Sequence, residues 1–557
     1  MKASDYIVEF IEKQNITDVF GYPGGMVTHL MDSLSKSSIR SHVTYHEQGA
    51  AFAACGYAQT TGKVGVAYAT SGPGATNLIT GICNAYFDST PTLFITGQVN
   101  TFESKGDLGV RQRGFQETDI VSIVKPVTKY AVRITDASRL RFHLEQAFHI
   151  AQKGRMGPVL LDIPMDIFRA DIDPDMLEGF TPHETEPESS FDELLDAIGA
   201  SSRPVILAGS GIKTAGAVKL LNEVSAHLSI PVITTMLAVD ICMDSYGFIG
   251  AYGSRTANFI AAKSDLVISL GARLDVRQIG ANRSAFAPDA CIVRVEIDKD
   301  ELSLKAHEDE IQINADVKDA LKAMLTIQAR PVNEWNNVCD TIRDELKDID
   351  NKLPNKLVQK ISDMIPEGSV ITTDVGQNQV WVAQSFNVKA DQRIFFSGGH
   401  GAMGYSLPAA IGCALASGHE VYSFSGDGGI QMNIQELQTI ARENIPVKII
   451  LFNNCALGMI RHFQEMYFDN NYVQTIPEGG YTVPDFGAIA GAYKIPYTCV
   501  EDVSDIDEKL FAQEGPQFIE VKINEPTYVF PKLEFGKPNQ DQEPLLPREL
   551  FNKLMEL

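Results

Sequence analysis

VYSFSGDGGIQMNIQELQTIARENIPVKIILFNN, at residues 421–454, holds two apolar runs rich in β-branched residues and separated by a helical pattern. The first run ends in Gly-Asp-Gly-Gly at 426–429, and the second ends in Asn453 and Asn454. A strand, a helix and a second strand in this order are typical of parallel α/β folds. The carboxyl ends of parallel strands lie at one edge of the sheet, where open α/β sheets bind ligands. The stretch therefore predicts a parallel α/β domain with a ligand site at that edge.

The polar residues at this edge suit a divalent cation and a diphosphate. Asp427 offers a carboxylate, Asn454 an amide oxygen and Ala456 a backbone carbonyl, and Mg2+ takes few protein oxygens and completes its shell with phosphate and water. Gly428 and Gly429 have no side chain that would keep their backbone amides from a phosphate. Taken alone, Gly-Asp-Gly is more simply explained as a turn, and Asn-Asn as a helix cap. The two halves together, with 24 residues between Gly-Asp-Gly and Asn-Asn, predict a metal site.

The same alternation of strands and helices continues along the chain, and 557 residues exceed what one hydrophobic core usually organises. We therefore predict three doubly wound parallel-sheet α/β domains. The acidic, proline-containing stretch at 171–190 and the charged stretch at 331–355 are the predicted linkers. The predicted domains are residues 1–170, 191–330 and 356–530, followed by a C-terminal tail at 531–557. Both outer domains contain a helix rich in Gly and Ala, which weakly suggests duplicated domains.

Composition and charge favour a soluble cytoplasmic protein. The 47 Lys and Arg residues against 71 Asp and Glu residues give a net charge of −24, which argues against nucleic acid or an anionic membrane as a partner. The eight cysteines show no CxxC pair and no metal-ligand spacing, as expected of reduced cytosolic thiols. The start, MKASDYIVEFIEKQN, has the pattern of an amphipathic helix rather than a signal peptide. No apolar run approaches the ~20 residues of a membrane span.

Ordered motifs along nearly the whole chain resemble those of a known enzyme family. Gly-Asp-Gly followed at this distance by Asn-Asn resembles the signature of the thiamine-diphosphate enzymes. Within that family the chain resembles the acetohydroxyacid (acetolactate) synthases, through the motifs FGYPGG, YHEQGAAFAACGYA, TSGPGATNLITG, FITGQV, GFQET, TDVGQNQVW, SGGHGAMGYSLPAAIG, SGDGG and NNCALGMIRHFQE. The resemblance implies a transferase or carboligase that uses thiamine diphosphate and Mg2+.

Glu47 is the residue that this resemblance marks as catalytic. Thiamine diphosphate reacts after losing its thiazolium C2 proton, and a carboxyl beside the pyrimidine nitrogen enables the cofactor's own amino group to remove that proton. Locally Glu47 is only an acid at the start of a predicted helix, which the helix dipole favours. Its YHE-x-GA context matches the family's glutamate. In the family this glutamate and the diphosphate site come from different subunits, so the resemblance implies a homodimer or a homotetramer.

The resemblance also implies the other thiamine-diphosphate contacts. Met403 would support the bent cofactor under its thiazolium ring, although a core methionine is the commoner role, and the Gly401 backbone would meet the pyrimidine amine. Asn378 stands where the synthases usually carry His, and its amide can still donate a hydrogen bond. The implied contacts are Gly25, Gly72 and Asn77 in the first domain and Gly376, Gln377, Asn378, Gly401, Met403, Gly428, Gly429 and Met459 in the third.

The middle domain resembles the flavin-binding domain of the synthases. Strand ends there offer small residues for close approach, arginines for phosphate and acids for ribose or adenine. The implied FAD contacts are Gly209, Gly211, Thr235, Met236, Leu237, Gly250, Gly253, Gly271, Arg273, Asp275, Arg277, Glu296, Asp298 and Asp316. Other relatives bind ADP there or nothing, and these alternatives stay open. FAD would be structural, because the carboligation involves no net redox change.

The residues that differ from the synthase pattern lie on the substrate side. They are Met26, Arg113, Met165, Val276, His400 and Phe463. Phe115, Gln116 and Arg277 keep the family's identities, so Gln116 and Arg277 are predicted to orient the substrates, and Phe115 with Phe463 to wall the pocket. His400 adds a hydrogen-bond donor suited to a polar or anionic acceptor; a purely structural histidine explains it equally well.

The predicted reaction decarboxylates a 2-oxo acid, most simply pyruvate, and adds the remaining two-carbon unit to a second carbonyl. A second pyruvate would give 2-acetolactate. The alternatives are acetyl transfer to a nucleotide-activated ketosugar, simple decarboxylation, and a non-catalytic protein that binds thiamine diphosphate or flavin. Retention of Glu47 together with Asp427 and Asn454 argues against the last. By analogy the tail is expected over the active-site entrance.

Overall fold

The computed structural model describes residues 1–182, 189–328 and 332–557, and its strands form three sheets. The predicted fold class, three parallel α/β sheets with helices between the strands, is confirmed. The predicted linkers at 171–190 and 331–355 fall partly outside the described residues. Within the described ranges, no helix is long and apolar enough to cross a membrane.

The described residues form two compact units. One unit holds the first and third sheets. The other holds the middle sheet together with residues 380–394 and 526–557.

The first sheet has six parallel strands in the order β2-β1-β3-β4-β6-β5. Its strands are β1 (Asp18–Gly21), β2 (Arg40–Val43), β3 (Gly65–Ala69), β4 (Thr92–Gln98), β5 (Tyr130–Arg133) and β6 (Pro158–Pro164). Its helices are α1 (Ala3–Lys13), α2 (Thr28–Leu34), α3 (Glu47–Thr61), α4 (Pro73–Asn77), α5 (Ile79–Phe87), α6 (Ile120–Val124), α7 (Leu140–Gln152) and α8 (Met165–Phe168). Strands β3, β4 and β6 are buried along their whole length, as expected of a parallel sheet covered on both faces.

The middle sheet has five parallel strands in the order β11-β10-β9-β7-β8. Its strands are β7 (Pro204–Ala208), β8 (Val232–Thr234), β9 (Leu266–Leu270), β10 (Cys291–Glu296) and β11 (Ile311–Asn314). The helices of this region are α9 (Asp192–Ala200), α10 (Gly211–Thr214), α11 (Val218–Leu228), α12 (Arg255–Lys263), α13 (Val276–Ile279), α14 (Lys299–Leu302), α15 (Val317–Met324) and α16 (Asn333–Leu346).

The third sheet has six strands in the order β13-β12-β14-β15-β17-β16. Its strands are β12 (Val370–Thr373), β13 (Arg393–Phe396), β14 (Val421–Gly426), β15 (Val447–Asn453), β16 (Tyr497–Val500) and β17 (Gln517–Lys522). The remaining helices are α17 (Leu353–Met364), α18 (Gln377–Ser385), α19 (Ser406–Ser417), α20 (Asp427–Ile430), α21 (Leu437–Glu443), α22 (Gly458–Tyr467), α23 (Phe486–Ala492) and α24 (Arg548–Glu556). Strands β14 and β15 pair in parallel with Gly426 opposite Phe452, so their carboxyl ends meet at one edge.

Helices α3 and α19 connect the first and third sheets through direct backbone contact. A Cβ atom at Gly412 would lie 1.9 Å from the carbonyl oxygen of Ala53, and one at Gly56 would lie 2.1 Å from that of Ala409. A larger residue at either glycine would therefore separate the helices. Because Ala53 faces Gly412 and Gly56 faces Ala409, the two helices are antiparallel. Their shared Gly- and Ala-rich composition follows from this contact.

His42 forms a buried charge network between the first and third sheets. Its ring nitrogens lie 2.8 Å from Asp18 Oδ1 and 2.5 Å from Glu443 Oε2. Burial lowers the pKa of His42, but the hydrogen bonds to the two carboxylates outweigh burial and raise that pKa above its ordinary value. Burial raises the pKa of Asp18 and of Glu443, but their hydrogen bonds, first of all to His42, outweigh it and lower both. The folded chain therefore favours a charged imidazolium between two carboxylates.

Raising the pH should remove the stabilisation that His42 provides. The pKa of His42 is higher in the folded chain than in the unfolded chain, where it is about 6.5. Below that pH, the charged imidazolium therefore makes its full contribution to the free energy of unfolding. This contribution is lost as the pH rises through the raised folded value. The thermal unfolding midpoint should therefore fall as the pH rises above about 6.5, and His42→Gln should flatten this dependence. His419→Gln alters an exposed histidine and should keep it; a full dependence in His42→Gln would contradict the assignment.

Candidate active site

Asp427 stands where strand β14 passes into helix α20, and it is 2% exposed. Its carboxylate accepts a hydrogen bond from the Asn454 backbone N–H at 3.0 Å and one from the Tyr481 hydroxyl at 2.6 Å. Burial raises the pKa of Asp427 to about 6, although hydrogen bonds from Tyr481 and from the backbone of Asn454, Ala456 and Cys455 lower it. The ends of β14 and β15 thus meet at one buried carboxylate.

Asn454 and Ala456 lie beside this carboxylate. Asn454 Oδ1 accepts a hydrogen bond from the Ala456 N–H at 3.2 Å, and its Nδ2 donates to Gln377 Oε1 at 3.0 Å. One carboxylate with amide and carbonyl oxygens suits Mg2+, which prefers oxygen ligands and keeps positions for phosphate and water. The residues present therefore fit a magnesium ion held jointly with a diphosphate.

Gly428 leaves a narrow space between three side chains. A Cβ atom there would lie 2.6 Å from Leu457 Cδ2, 3.2 Å from the Tyr481 hydroxyl and 3.3 Å from Met403 Cε. Met403, predicted to support the thiazolium ring, therefore lies close to the predicted metal loop. Met459 is half-buried on the following helix, α22. Leu457, Tyr481 and Met403 therefore surround Gly428.

The segment 376–378 lies against the same loop. Asn378 Nδ2 donates to the carbonyl of Asp374 at 2.8 Å. A Cβ atom at Gly426 would lie 3.2 Å from Asn378 Oδ1, and one at Gly376, whose φ is 147°, would lie 2.7 Å from the same oxygen. The glycines thus allow the two loops to approach closely, and the amide of Asn378 holds its own loop in place.

Sequence reasoning missed Asp374, a fully buried acid that joins these loops. Its carboxylate accepts hydrogen bonds from the Val375 and Gly404 backbone N–H groups at 2.7 and 2.8 Å, and from the Ser406 and Ser425 hydroxyls at 3.3 Å each. Burial raises the pKa of Asp374 to about 6 against these hydrogen bonds. An acid placed directly after a strand was the available signal. Tyr481 was also missed, and its local sequence holds no signal for a partner at Asp427.

Glu47 begins helix α3 and is 7% exposed. Asn77 Nδ2 donates to Glu47 Oε2 at 2.9 Å, and a Cβ atom at Gly74 would lie 3.2 Å from Glu47 Oε1. The preceding His46 caps the helix, because its ring accepts a hydrogen bond from the Gln48 N–H at 3.0 Å. The structure therefore brings Asn77 and Glu47, two of the predicted site residues, into direct contact.

Gly72 and Gln116 lie together in the first domain. Both have left-handed backbone, with φ of 61° and 63°, and a Cβ atom at Gly72 would lie 2.9 Å from that of Gln116. A left-handed residue other than glycine is strained, and such strain often occurs at functional loops. Phe115, which precedes Gln116, is 77% exposed. At Gly25, another predicted cofactor contact, a Cβ atom would meet no atom within 4 Å.

Glu47 and the residues before α19 lie at opposite ends of the antiparallel pair α3 and α19. The Tyr405 hydroxyl, directly before α19, donates to Gln59 Oε1 at 2.6 Å. Gln59 is about 18 Å along α3 from Glu47 at 1.5 Å per residue. Gly401 and Met403 therefore lie far from the Glu47 of the same chain.

Three protein-family models match the chain. Those of the thiamine pyrophosphate enzymes match residues 1–123 (N-terminal TPP binding domain), 191–324 (central domain) and 374–521 (C-terminal TPP binding domain). The acetolactate synthase isozyme 2 large subunit of Escherichia coli (strain K12) is 35% identical over 97% of this chain and 99% of its own length. The chain belongs to the acetolactate synthase family of thiamine pyrophosphate enzymes. Thiamine pyrophosphate is thiamine diphosphate, so the resemblance drawn from the motifs is confirmed.

Acetolactate synthases from two other organisms match the chain to a similar extent. The acetolactate synthase large subunit of Lactococcus lactis subsp. lactis (strain IL1403) is 34% identical over 96% of this chain and 94% of its own length. Acetolactate synthase 2, chloroplastic, of Zea mays is 35% identical over 97% of this chain and 88% of its own length. The match to the acetolactate synthase family thus spans all three sheets.

Glu117 organises a loop of this family member that sequence reasoning passed over. Its carboxylate accepts hydrogen bonds from the Ser104 hydroxyl and Lys105 N–H at 2.7 Å each, and from the Arg113 and Gly114 N–H groups at 3.0 and 3.3 Å. Burial raises the pKa of Glu117, but these hydrogen bonds outweigh it and lower the pKa to about 2. The loop before Phe115 and Gln116 is therefore fixed by one ionised carboxylate.

Three residues that differ from the synthase pattern lie at the surface of this chain. Arg113 donates through Nη1 to the Ser104 carbonyl at 3.2 Å. The His400 ring stacks on Phe87, with centroids 5.7 Å apart and planes 8° apart, and burial lowers the pKa of His400. Phe463 is 45% exposed on α22. Arg113 therefore supports its own loop, while His400 and Phe463 can meet a ligand or another chain.

The residues predicted to bind FAD stand at the carboxyl ends of the middle strands. Gly209 follows β7, Thr235 follows β8 and Gly271 follows β9. A Cβ atom at Gly209 would lie 2.0 Å from the Gly271 carbonyl oxygen, so backbone packing already requires glycine there. Asp275, Asp298 and Asp316 each accept a hydrogen bond from the backbone N–H two residues later, at 2.9, 3.0 and 2.8 Å. Capping of α13, α14 and α15 thus accounts for these acids independently of a nucleotide.

The C-terminal tail packs against the loop that carries Gly250 and Gly253. The Leu533 N–H donates to the Ala251 carbonyl at 2.7 Å, and Gln542 Nε2 donates to the Gly253 carbonyl at 3.0 Å. The tail therefore holds one of the loops predicted to bind FAD. Its expected place over the active-site entrance stays a prediction.

Glu117→Ala should expose the loop 104–114 to trypsin. A hydrogen bond to a charged group contributes about 1.5–3 kcal/mol, so loss of the carboxylate should raise cleavage after Lys105, Arg111 and Arg113 at least tenfold, roughly. Peptide mapping by mass spectrometry measures this rate. Glu103→Ala removes a nearby acid that accepts hydrogen bonds from Asn100. This variant should be cleaved at the same rate as the parent. Equal cleavage of Glu117→Ala and the parent would show that the loop is held by other contacts.

Proposed function

We propose that this enzyme decarboxylates pyruvate and adds the remaining two-carbon unit to a second carbonyl, most simply a second pyruvate to give 2-acetolactate. The observation that carries the proposal is that one chain retains both the buried Glu47 at the start of α3 and the joined oxygens of Asp427, Asn454 and Ala456. A binding protein would need the second group but not the first. The relatives above, all acetolactate synthases, support the same reaction.

The chain's own groups suit the chemistry of this reaction. Bound thiamine diphosphate would supply a carbon able to carry the negative charge left by decarboxylation. Glu47 would share a proton with the pyrimidine nitrogen, and Asn77, which donates to Glu47 Oε2, would orient the carboxyl. Asp427 and Asn454 would hold Mg2+ against the diphosphate.

Four residues of the chain would contact the substrates. Gln116 and Arg277 would orient the substrate acids through hydrogen bonds. Phe115 and Phe463 would exclude water from the reacting carbons, which strengthens electrostatic interactions there. Both aromatic side chains are exposed in the single chain, at 77% and 45%, and are available for this role.

We also propose that each active site combines two chains in a homodimer. Glu47 and the residues before α19 lie about 18 Å apart along the antiparallel helix pair, so one chain presents them at separate places. A second copy would bring its Glu47 to the Met403 and Asp427 of the first. A homotetramer would pair two such dimers.

We also propose that the middle domain binds FAD and that the protein is cytoplasmic. The carboxyl ends of the middle strands and the glycines that follow them support a nucleotide such as FAD, which would be structural. The absorbance spectrum of the purified protein tests it, since a protein with ADP or nothing bound would be colourless. Among the described residues no disulfide joins two cysteines, which supports a reducing compartment.

Incubation with pyruvate, thiamine diphosphate and Mg2+ tests the reaction. CO2 should be released and 2-acetolactate should form, and removal of Mg2+ with a chelator should stop both, because the diphosphate would lose its metal bridge. A nucleotide-activated ketosugar is the second candidate acceptor, favoured by the exposed His400 ring beside Gly401. Consumption of an added ketosugar, with a matching loss of acetolactate, would select it. No CO2 from any 2-oxo acid would refute the enzymatic proposal.

Glu47→Gln should abolish cofactor activation while the fold is kept. Glutamine can still accept the hydrogen bond from Asn77 but cannot exchange a proton with the pyrimidine nitrogen, so exchange of the cofactor's C2 proton should slow at least about 100-fold. NMR of quenched samples in D2O measures this exchange. The melting temperature and the binding of thiamine diphosphate with Mg2+ serve as controls and should change little. Parental exchange in Glu47→Gln would rule out the assigned role.

A further inference from the structure

Glu436 is a fully buried acid that reaches from the third domain to the residues just before Glu47. It ends the short 3-10 turn Ile434–Glu436 before α21 and has no exposed surface. Its Oε1 accepts a hydrogen bond from the Tyr45 backbone N–H at 2.9 Å, and its Oε2 accepts one from the Thr439 hydroxyl at 2.8 Å. The partner at Tyr45 lies 391 residues away in sequence.

The carboxylate of Glu436 is fitted against the start of helix α3. A Cβ atom at Gly49 would lie 2.6 Å from Glu436 Oε1, so the first turn of α3 has no room for a side chain there. Burial raises the pKa of Glu436 to about 7, although hydrogen bonds from Thr439 and from the backbone N–H groups of Tyr45 and His46 lower it. An acid at a helix N-terminus also interacts favourably with the helix dipole. Backbone donors at the start of α3 thus offset much of the cost of burying this acid.

Further contacts of the same segment hold the strand that leads to Glu47. Arg442 Nη2 donates to the Val43 carbonyl at 2.7 Å, and the Thr439 hydroxyl lies 3.2 Å from the same oxygen. His42, which contacts Glu443, directly precedes Val43 in the same strand. Among these residues, Glu436 accepts the hydrogen bonds from the backbone N–H groups of Tyr45 and His46, directly before Glu47.

We propose that Glu436 is a positioning residue for Glu47. It fixes the backbone of Tyr45 and His46, and thereby the direction in which the Glu47 carboxyl points. The metal-binding domain of a chain would thus set the orientation of that chain's own catalytic glutamate. The inference rests on the proposed role of Glu47 in cofactor activation.

Three variants test this positioning role. Glu436→Ala removes the acceptor, Glu436→Gln keeps an oxygen that can accept from the same N–H groups, and Glu443→Gln alters a carboxylate of the same segment that bonds to His42 instead. Hydrogen exchange of the peptide 43–50, followed by mass spectrometry without cofactor, reports on the Tyr45 and His46 amides. Exchange of the C2 proton in the loaded enzyme reports on Glu47.

At about pH 8, where a carboxyl with a pKa of about 7 is mostly ionised, Glu436→Ala should speed amide exchange at Tyr45 and His46 by about 10- to 100-fold, as expected for loss of hydrogen bonds to a charged group. It should also slow C2 proton exchange, and Glu436→Gln should largely restore both rates. Glu443→Gln should lower the melting temperature yet leave both rates near those of the parent. If Glu436→Ala does not fold, Glu436→Asp, whose side chain is one methylene shorter, should shift both rates in the same directions.

Unchanged amide exchange in folded Glu436→Ala, or in Glu436→Asp if the alanine variant does not fold, would overturn the inference, as would an equal effect of Glu443→Gln. Failure of the proposed function has a different signature. In that case Glu47→Gln would leave C2 proton exchange unchanged, while the amide exchange of Tyr45 and His46 would still respond to Glu436.

Discussion

The backbone contact between α3 and α19 is the constraint on which the active-site geometry depends. Gly56 and Gly412 bring the helices so close that carbonyl oxygens occupy the places of missing side chains. Because the helices are antiparallel, the loops that begin them lie at opposite ends of the pair. Glu47 begins one helix, and the loop with Gly401 and Met403 begins the other. The distance between Glu47 and the loop with Met403 within one chain therefore follows from the antiparallel packing that these two glycines allow.

Buried acids with backbone donors fix the loops around this helix pair. Asp374 joins three loops of the third domain, Glu117 gathers the loop before Gln116, and Glu436 holds the residues before Glu47. A carboxylate can accept several N–H groups at once, and burying it costs free energy unless these donors are present. Each acid thus selects one loop conformation, because any other conformation would leave its charge without partners. These hydrogen bonds stabilise the loops of the candidate site in the conformations described.

Sequence patterns predicted what depends on neighbours in sequence. The closeness of Asp427 and Asn454 could be predicted because each directly follows a buried strand, and parallel strands place their carboxyl ends together. The role proposed for Glu47 rests on the family resemblance, since locally Glu47 is only an acid at a helix start. Tyr481 and Glu436 were missed because their partners are 54 and 391 residues away and no local pattern marks such pairs. In the middle domain, acids expected at a nucleotide also cap helices, so one pattern serves two purposes.

The exposure of the substrate-side residues has a consequence for their substitution. Phe115 and Phe463 are largely exposed in the single chain, whereas Asp427, Asp374 and Glu47 are buried in hydrogen-bonded networks. Surface substitutions usually alter stability by no more than about 0.5 kcal/mol, whereas changes to buried charged networks cost several times more. Under the proposed function, substitutions at Phe115 or Phe463 could alter the acceptor at a small cost in stability, whereas substitutions of the buried acids would also destabilise the fold.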